Sequence, residues 1–231
     1  MNITYDFHLH SCLSPCGDET MTPNNIVQMS KLIGLDAIAV ADHNSAKNLP
    51  AVWKLGAELG ITVVPAMEVC SAEEIHLLCL FPTLTQALDC DRDLYPHLPP
   101  VKNKVEFFGK QQILDENDVE IGTEPLLLIN ALSLGLEELL PLVRSYGGFV
   151  LPAHIEKSST SILSSLGFVP PEYGFTWAEC KNLETAHALG FHGNVLTNSD
   201  AHQLEAIQEP SHHLEVAENT AFSIVNRLKS I

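Results

Sequence analysis

Two histidines and an aspartate share one short stretch near the start of the chain, Asp6-Phe7-His8-Leu9-His10. From Asn2 to His10 the residues alternate: Ile3, Tyr5, Phe7 and Leu9 fall on one face, and Thr4, Asp6, His8 and His10 on the other. That is the period of a β-strand, and it aims two imidazoles and a carboxylate in one direction. Neutral imidazole is a common metal ligand, and a nearby carboxylate either binds the metal or orients a ligating ring. An edge strand with solvated rings would look the same, so later stretches have to decide. Asp42-His43, Glu68, His154 and Asp200 with His202 each follow a short apolar run, and His76 lies inside one, Ile75 to Phe81. A histidine in an apolar strand serves equally as a hydrogen-bonded core residue or as a ligand.

Mixed nitrogen and oxygen donors suit Zn, Mn or Fe better than Ca or a thiolate cluster. There are too many for one tetrahedral ion, so two or three divalent transition metal ions are implied. A carboxylate such as Glu68 can bridge two of them. Paired ions stabilise the attacking and leaving oxygens of a phosphoryl displacement, and a coordinated water supplies the nucleophile, so neither Ser nor Cys is needed for attack.

These residues need elements that bring them together. Thr22-Pro23 and Gly34 bracket a helix, 36–41 is a short strand, a second helix covers about 49–59 before Gly60, and 61–66 is a strand leading to Glu68. This β-α-β-α-β order predicts an α/β fold with parallel strands joined by crossover helices. In α/β barrels the C-terminal ends of the strands carry the chemistry, which is where these polar residues stand. The rhythm breaks over 89–124. Asp91-Arg92-Asp93 and Pro96 to Pro100 read as loop, and candidate strands at 105–108 and 111–114 flank Gly109-Lys110. An inserted β-hairpin around 100–123 is expected, either a lid or a surface elaboration. Helices are expected over 125–132 and 136–146, a strand over 149–151 delivering His154, strands over 176–180 and 195–197, and a closing helix over 220–229.

The chain has 231 residues and a mass of 25.3 kDa, and a single domain, 1–231, is expected. No apolar run approaches the length of a membrane span, and the N-terminus lacks the pattern of a signal peptide. The six cysteines form no CxxC pair, so reduced thiols in the cytoplasm are expected. Cys12 and Cys16 fit half of a zinc site, but no second pair follows, so they read as small buried or loop thiols. A net charge of −17, from 29 acidic and 12 basic residues, works against binding a polyanion. A small phosphorylated substrate is therefore expected in place of duplex nucleic acid.

Taken in order, Asp6-Phe7-His8-Leu9-His10, Ala41-Asp42-His43-Asn44, Met67-Glu68, Ile75-His76-Leu77, Pro152-Ala153-His154 and Ser199-Asp200-Ala201-His202 resemble the PHP (polymerase and histidinol phosphatase) family across nearly the whole chain. The resemblance implies a distorted seven-stranded (β/α)7 TIM-like barrel with a trinuclear metal centre at its C-terminal mouth. Carried over residue by residue, it implies one ion held by His8, His10, Glu68 and Asp200, and a second sharing Glu68 and taking His76 and His154. The third would take His43, His202 and a loop residue. Asp18 matches that residue by its distance before Thr22-Pro23, and Glu19 stays open because Pro15-Cys16-Gly17 lengthens the loop. Asp6 and Asp42 would fix their neighbouring histidines. The implied activity is that of a metal-dependent phosphoesterase, with metal-activated hydroxide attacking phosphorus and with Glu68, His154 and Asp200 needed for turnover. Lys157, just beyond His154, is the candidate cation for the substrate phosphate; a solvated surface lysine is the alternative. Hydrolysis of a C–N or carboxyl ester bond, and a non-catalytic metal-binding module, are the competing functions.

Overall fold

A computed structural model describes residues 1–230. In chain order the elements are β1 (Asn2–Leu9), α1 (Pro23–Ile33), β2 (Ala37–Val40), α2 (Leu49–Leu59), β3 (Thr62–Val63), β4 (Ala66–Cys70), β5 (His76–Leu80), α3 (Leu84–Leu94) and α4 (Val105–Phe108). They continue with β6 (Gln112–Leu114), β7 (Glu120–Thr123), α5 (Leu136–Ser145), β8 (Phe149–Pro152), α6 (Ile162–Leu166), β9 (Trp177–Glu179), α7 (Leu183–Ala188), β10 (Asn194–Leu196), β11 (His213–Glu215) and α8 (Ala221–Lys229). No helix among the described residues is long and apolar enough to cross a membrane.

The first helices form as their end signals require. The Thr22 hydroxyl accepts the Asn25 N–H, Pro23 opens α1, and Gly34 ends it in the left-handed region at φ 89°. Strands β1, β2 and β3 run parallel, with β11 antiparallel on the outer side of β1, and β9 and β10 are also parallel. The expected parallel strands with crossovers hold over β1, β2 and β3, whereas the β4–β5–β8 sheet beyond them is antiparallel throughout. Only Ser71 to Ile75 separates β4 from β5, too little chain for a crossover helix, so the chain turns straight back. Main-chain links join the sheets. His43 pairs with Glu68 and Leu9 with Ala201, and the Ile155 N–H donates to the Glu179 carbonyl at 2.9 Å.

The strict alternation read along β1 fails at its functional end. Asp6 pairs with Ile38 but Leu9 pairs with Val40, so β1 carries one residue more than β2 between these pairs. Such a bulge reverses which face later residues take. Ile3, Tyr5 and Phe7 therefore pack with Ala37, Ala39, Leu78, Leu80 and Leu151, whereas Leu9 joins Ile38, Val40 and Val52 in the other apolar cluster.

The inserted region also differs from expectation. Leu84–Leu94 is a helix in spite of its acids, because Ala87, Cys90 and Leu94 recur at helical spacing and are buried. Residues 105–108 form a helical turn, and the hairpin pairs Gln112–Leu114 with Glu120–Thr123 across the turn at Asp115–Asp118. The helix expected over 125–132 is absent because side chains claim its backbone groups. The Gln111 amide donates to the Glu124 and Leu126 carbonyls and accepts the Leu128 N–H, and the Asn44 amide donates to the Leu128 and Asn130 carbonyls. The hairpin is anchored beside the β1–α1 loop, with the Gln112 N–H on the Cys12 carbonyl and Thr22 on Asp118.

Gly56 lets α2 lie against β3, since a Cβ there would stand 2.4 Å from Val63 Cγ2 and 3.0 Å from the Ile61 carbonyl. Gly56→Ala should therefore lower the urea midpoint. The overpacking cost of about 1–3 kcal/mol exceeds the roughly 1 kcal/mol gained in helix propensity; an unchanged or raised midpoint would contradict this packing.

Candidate metal centre

Glu68, 1% exposed near the middle of β4, stands among the histidines. Its Oε1 is 2.8 Å from His76 Nδ1 and 2.9 Å from His154 Nε2, and its Oε2 is 3.1 Å from His43 Nδ1, 3.3 Å from His10 Nε2 and 3.4 Å from His8 Nε2. Asp200 Oδ1 completes the inner ring, 3.1 Å from His10 Nε2 and 3.5 Å from His8 Nε2. Burial opposes ionisation of both acids, but the surrounding rings outweigh it and hold both well below the usual carboxylate range. The structure thus brings together His8, His10, His43, Glu68, His76, His154, Asp200 and His202.

The hydrogen bonds behind these rings fix where their protons lie. His8 Nδ1 is 2.9–3.0 Å from both oxygens of Glu179, which as a carboxylate can only accept, so Nδ1 carries the proton. The Ser14 hydroxyl spends its proton on Asp42 at 2.6 Å and so accepts from His10 Nδ1 at 3.0 Å. His202 Nδ1 donates to the Asp200 carbonyl at 2.7 Å. In neutral rings each Nε2 is then left with a lone pair. The lone pairs of His8 and His10 face one another across 3.2 Å, an arrangement that needs a shared cation. The buried Nδ1 atoms of His43 and His154 find no hydrogen-bond partner among the described residues. Three sets of donor atoms lie within 4.8 Å of one another: His8, His10 and Asp200; His43, Glu68 and His76; and His10, Cys16, His43 and His202. This donor set fits divalent metal ions.

Two ligand-bearing residues sit in strained backbone, His154 at φ 29° and Asp200 at φ 52°. Non-glycine residues there cost roughly 1–3 kcal/mol, a strain that neighbouring bonds must hold. Glu179 supplies such a bond by accepting the His154 N–H at 2.9 Å. It also accepts from Asn198, and its pKa is lowered, because His8 beside it outweighs burial. Sequence reading missed Glu179, although it ends β9 much as Asp42 and Asp200 follow β2 and β10. Asp6 and Asp42 do not touch the rings of their neighbours. Asp6 accepts from the backbone of Ser199, His8 and Gln208, and burial pushes its pKa up to about 6. Asp42 accepts from Ser11 and Ser14 and acts on His10 through the latter.

Asp18 lies beside the rings, with its N–H on the His202 carbonyl at 2.9 Å. Asp18 is exposed, and its carboxylate accepts the N–H and hydroxyl of Thr20 at 2.9 and 2.7 Å; Glu19 is exposed as well. It is Cys16 whose donor atom joins His43 and His202. A cleft of about 300 Å³ opens beside them, lined by Cys16, Asp18, Asp200, His202 and Gln203. Lys157 pairs with Asp200, so it stands at the site and not on remote surface.

A model of the PHP domain matches residues 6–159. Among solved structures, the lesion-specific endonuclease Q of Pyrococcus furiosus aligns with 100% of this chain and 56% of its own, at a TM-score of 0.70 and 20% identity. A second endonuclease Q structure, holding a 27-mer duplex with an abasic lesion at its active site, aligns with 100% of this chain and 57% of its own at a TM-score of 0.66 and 21% identity. A proposed metal-dependent phosphoesterase from Bifidobacterium adolescentis gives a TM-score of 0.58 at 17% identity, over 86% of this chain and 87% of its own. Two uncharacterised proteins of Methanocaldococcus jannaschii are 30% and 25% identical over 76 and 164 residues, 29% and 71% of this chain, which spans 44% and 18% of their lengths. The endonuclease Q complex overturns the exclusion of duplex nucleic acid drawn from the net charge of −17. A whole-chain sum ignores where the acids lie, and several here are buried among histidines.

Without metal, His10 is raised to about 9: burial pushes it down, but Asp200 and Glu68 outweigh that. His8 is raised in the same way by Glu179, Glu68 and Asp200. A histidine raised on folding stabilises fully below its ordinary value near 6.5 and loses that contribution as pH climbs through the folded value. Thermal unfolding of the metal-free chain should therefore show stability falling from about pH 6.5 to 9. A flat profile across that window would contradict the charge arrangement.

Proposed function

The chain belongs to the PHP domain family, and from that premise we propose that it is a metal-dependent hydrolase of phosphate esters, with the phosphodiester of a nucleic acid among its candidate substrates. One observation carries the reading: the buried Glu68 carboxylate meets histidine nitrogens on both of its oxygens. The links from β1 through β2, β3–β4, β5, β8, β9 and β10 back to Leu9 and Ala201 support reading these strands as a distorted seven-stranded barrel. Its mouth carries the site, and residues 1–231 form one domain with an insertion over 89–124.

In this reading His8, His10, Glu68 and Asp200 hold one ion, Glu68, His76 and His154 a second, and His43 and His202 a third. Divalent ions bound there polarise the phosphoryl group and lower the pKa of a coordinated water. The chain does the rest. Glu179 and Ser14 fix the protons of His8 and His10 on Nδ1, which turns both Nε2 lone pairs inward. Lys157, now paired with Asp200, carries the ammonium that faces an incoming phosphate. The PHP domain match supports this reaction class.

Metal-reconstituted protein should hydrolyse a phosphate-ester panel that includes abasic and undamaged duplex DNA, and Glu68→Gln should lower kcat at least a hundredfold with unchanged circular dichroism. Phosphatase-inactive wild type, or full activity in the variant, would defeat the assignment. Glu179→Ala should weaken metal binding about 10–100-fold, as read by competition with a chromophoric chelator.

A further inference from the structure

Asp18, the acid expected to complete the third ion's ligands, turns its carboxylate to Thr20 instead. Cys16 sits in the place left to it. The Cys16 Sγ and donor nitrogens of His10, His43 and His202 lie within 4.8 Å of one another. We propose that Cys16 is a thiolate ligand of the ion held by His43 and His202, so that this position selects Zn, Co or Fe over Mn. The inference rests on the metal-centre reading above and adds a ligand to it.

The loop is built to hold that thiol. The Gly17 N–H donates to the Ser14 carbonyl at 3.0 Å, and the Asp18 N–H donates to the His202 carbonyl at 2.9 Å, so the residues after Cys16 are tied to the same histidine loop. A Cβ at position 17 would stand 2.2 Å from the Ser11 carbonyl oxygen, so only glycine permits this close path. The rings beside Cys16 also call for a cation. The His43 ring is 3% exposed, and its Nδ1, which stands 3.1 Å from Glu68 Oε2, makes no hydrogen bond among the described residues. The His202 Nδ1–H is spent on a carbonyl, which leaves Nε2 with a lone pair. Of the six cysteines, only Cys16 belongs to such a donor set; Cys12, Cys70, Cys79, Cys90 and Cys180 are buried elsewhere. A coordinating thiol gives up its proton to solvent on binding, and thiolate sulfur favours softer cations than Mn, which prefers oxygen ligands.

The test loads the full metal-free chain with Co(II). The wild type should show a thiolate-to-cobalt charge-transfer band in the near ultraviolet. Cys16→Ser should lose the band and one ion per chain by mass spectrometry, while Cys16→Asp should restore the ion without the band. Cobalt bound without that band, or a band that survives in Cys16→Ser, overturns the thiolate assignment and leaves the metal centre standing. A wild type that binds no cobalt, zinc or iron overturns the metal centre itself. Should Cys16→Ser not fold, alkylation of the wild type decides: iodoacetamide should label Cys16 in the metal-free chain and spare it after zinc loading, and equal labelling overturns the proposal.

Discussion

A carboxylate buried among imidazoles is the constraint on which the rest of this structure depends. Glu68 is 1% exposed and meets rings from four separate segments of chain. A buried charge is costly unless partners compensate it, so the surrounding elements are obliged to deliver those partners. The histidines are constrained in turn. With Nδ1 protons pinned by Glu179 and Ser14, the Nε2 atoms of His8 and His10 confront each other at 3.2 Å. Only a proton or a metal ion placed between them relieves that confrontation.

The scaffold answers with local irregularities. The bulge in β1 falls between Asp6 and Leu9, where His8 lies, and His154 and Asp200 occupy backbone conformations that non-glycine residues avoid. Such departures are retained where surrounding contacts over-determine them. Here the contacts are visible: Glu179 holds the His154 amide, and Asp6 accepts from Ser199 next to Asp200. Glu179 thus serves both the His8 ring and the backbone at His154, and Asp6 serves the backbone at Ser199.

Charge works at two scales. The chain carries −17 overall, yet Glu68, Glu179 and Asp200 are turned toward histidines, and Lys157 pairs with Asp200. Net charge is therefore a poor guide to what such a site admits, and a protein of the same fold holds a duplex with an abasic lesion at its active site. Metal loading would shift the local balance further toward positive, since bound cations are often the largest charges in a site.

What the sequence by itself determined was the inventory. The histidines and acids at strand ends, the caps of α1 and α2, and the family were all legible, because residue type and short-range periodicity are local properties. What escaped it depends on contacts between distant segments. The 125–132 segment held by Asn44 and the Glu179 bond to His8 pair residues 84 and 171 positions apart in the chain. The loop ligand shows the difference most plainly. Counting back from Thr22-Pro23 pointed to Asp18, whose carboxylate sits on Thr20, while Cys16 Sγ in the same loop lies within 4.8 Å of donor nitrogens of His43 and His202. Spacing along a loop cannot say which side chain turns inward; that was decided only when tertiary hydrogen bonds set the path of the backbone.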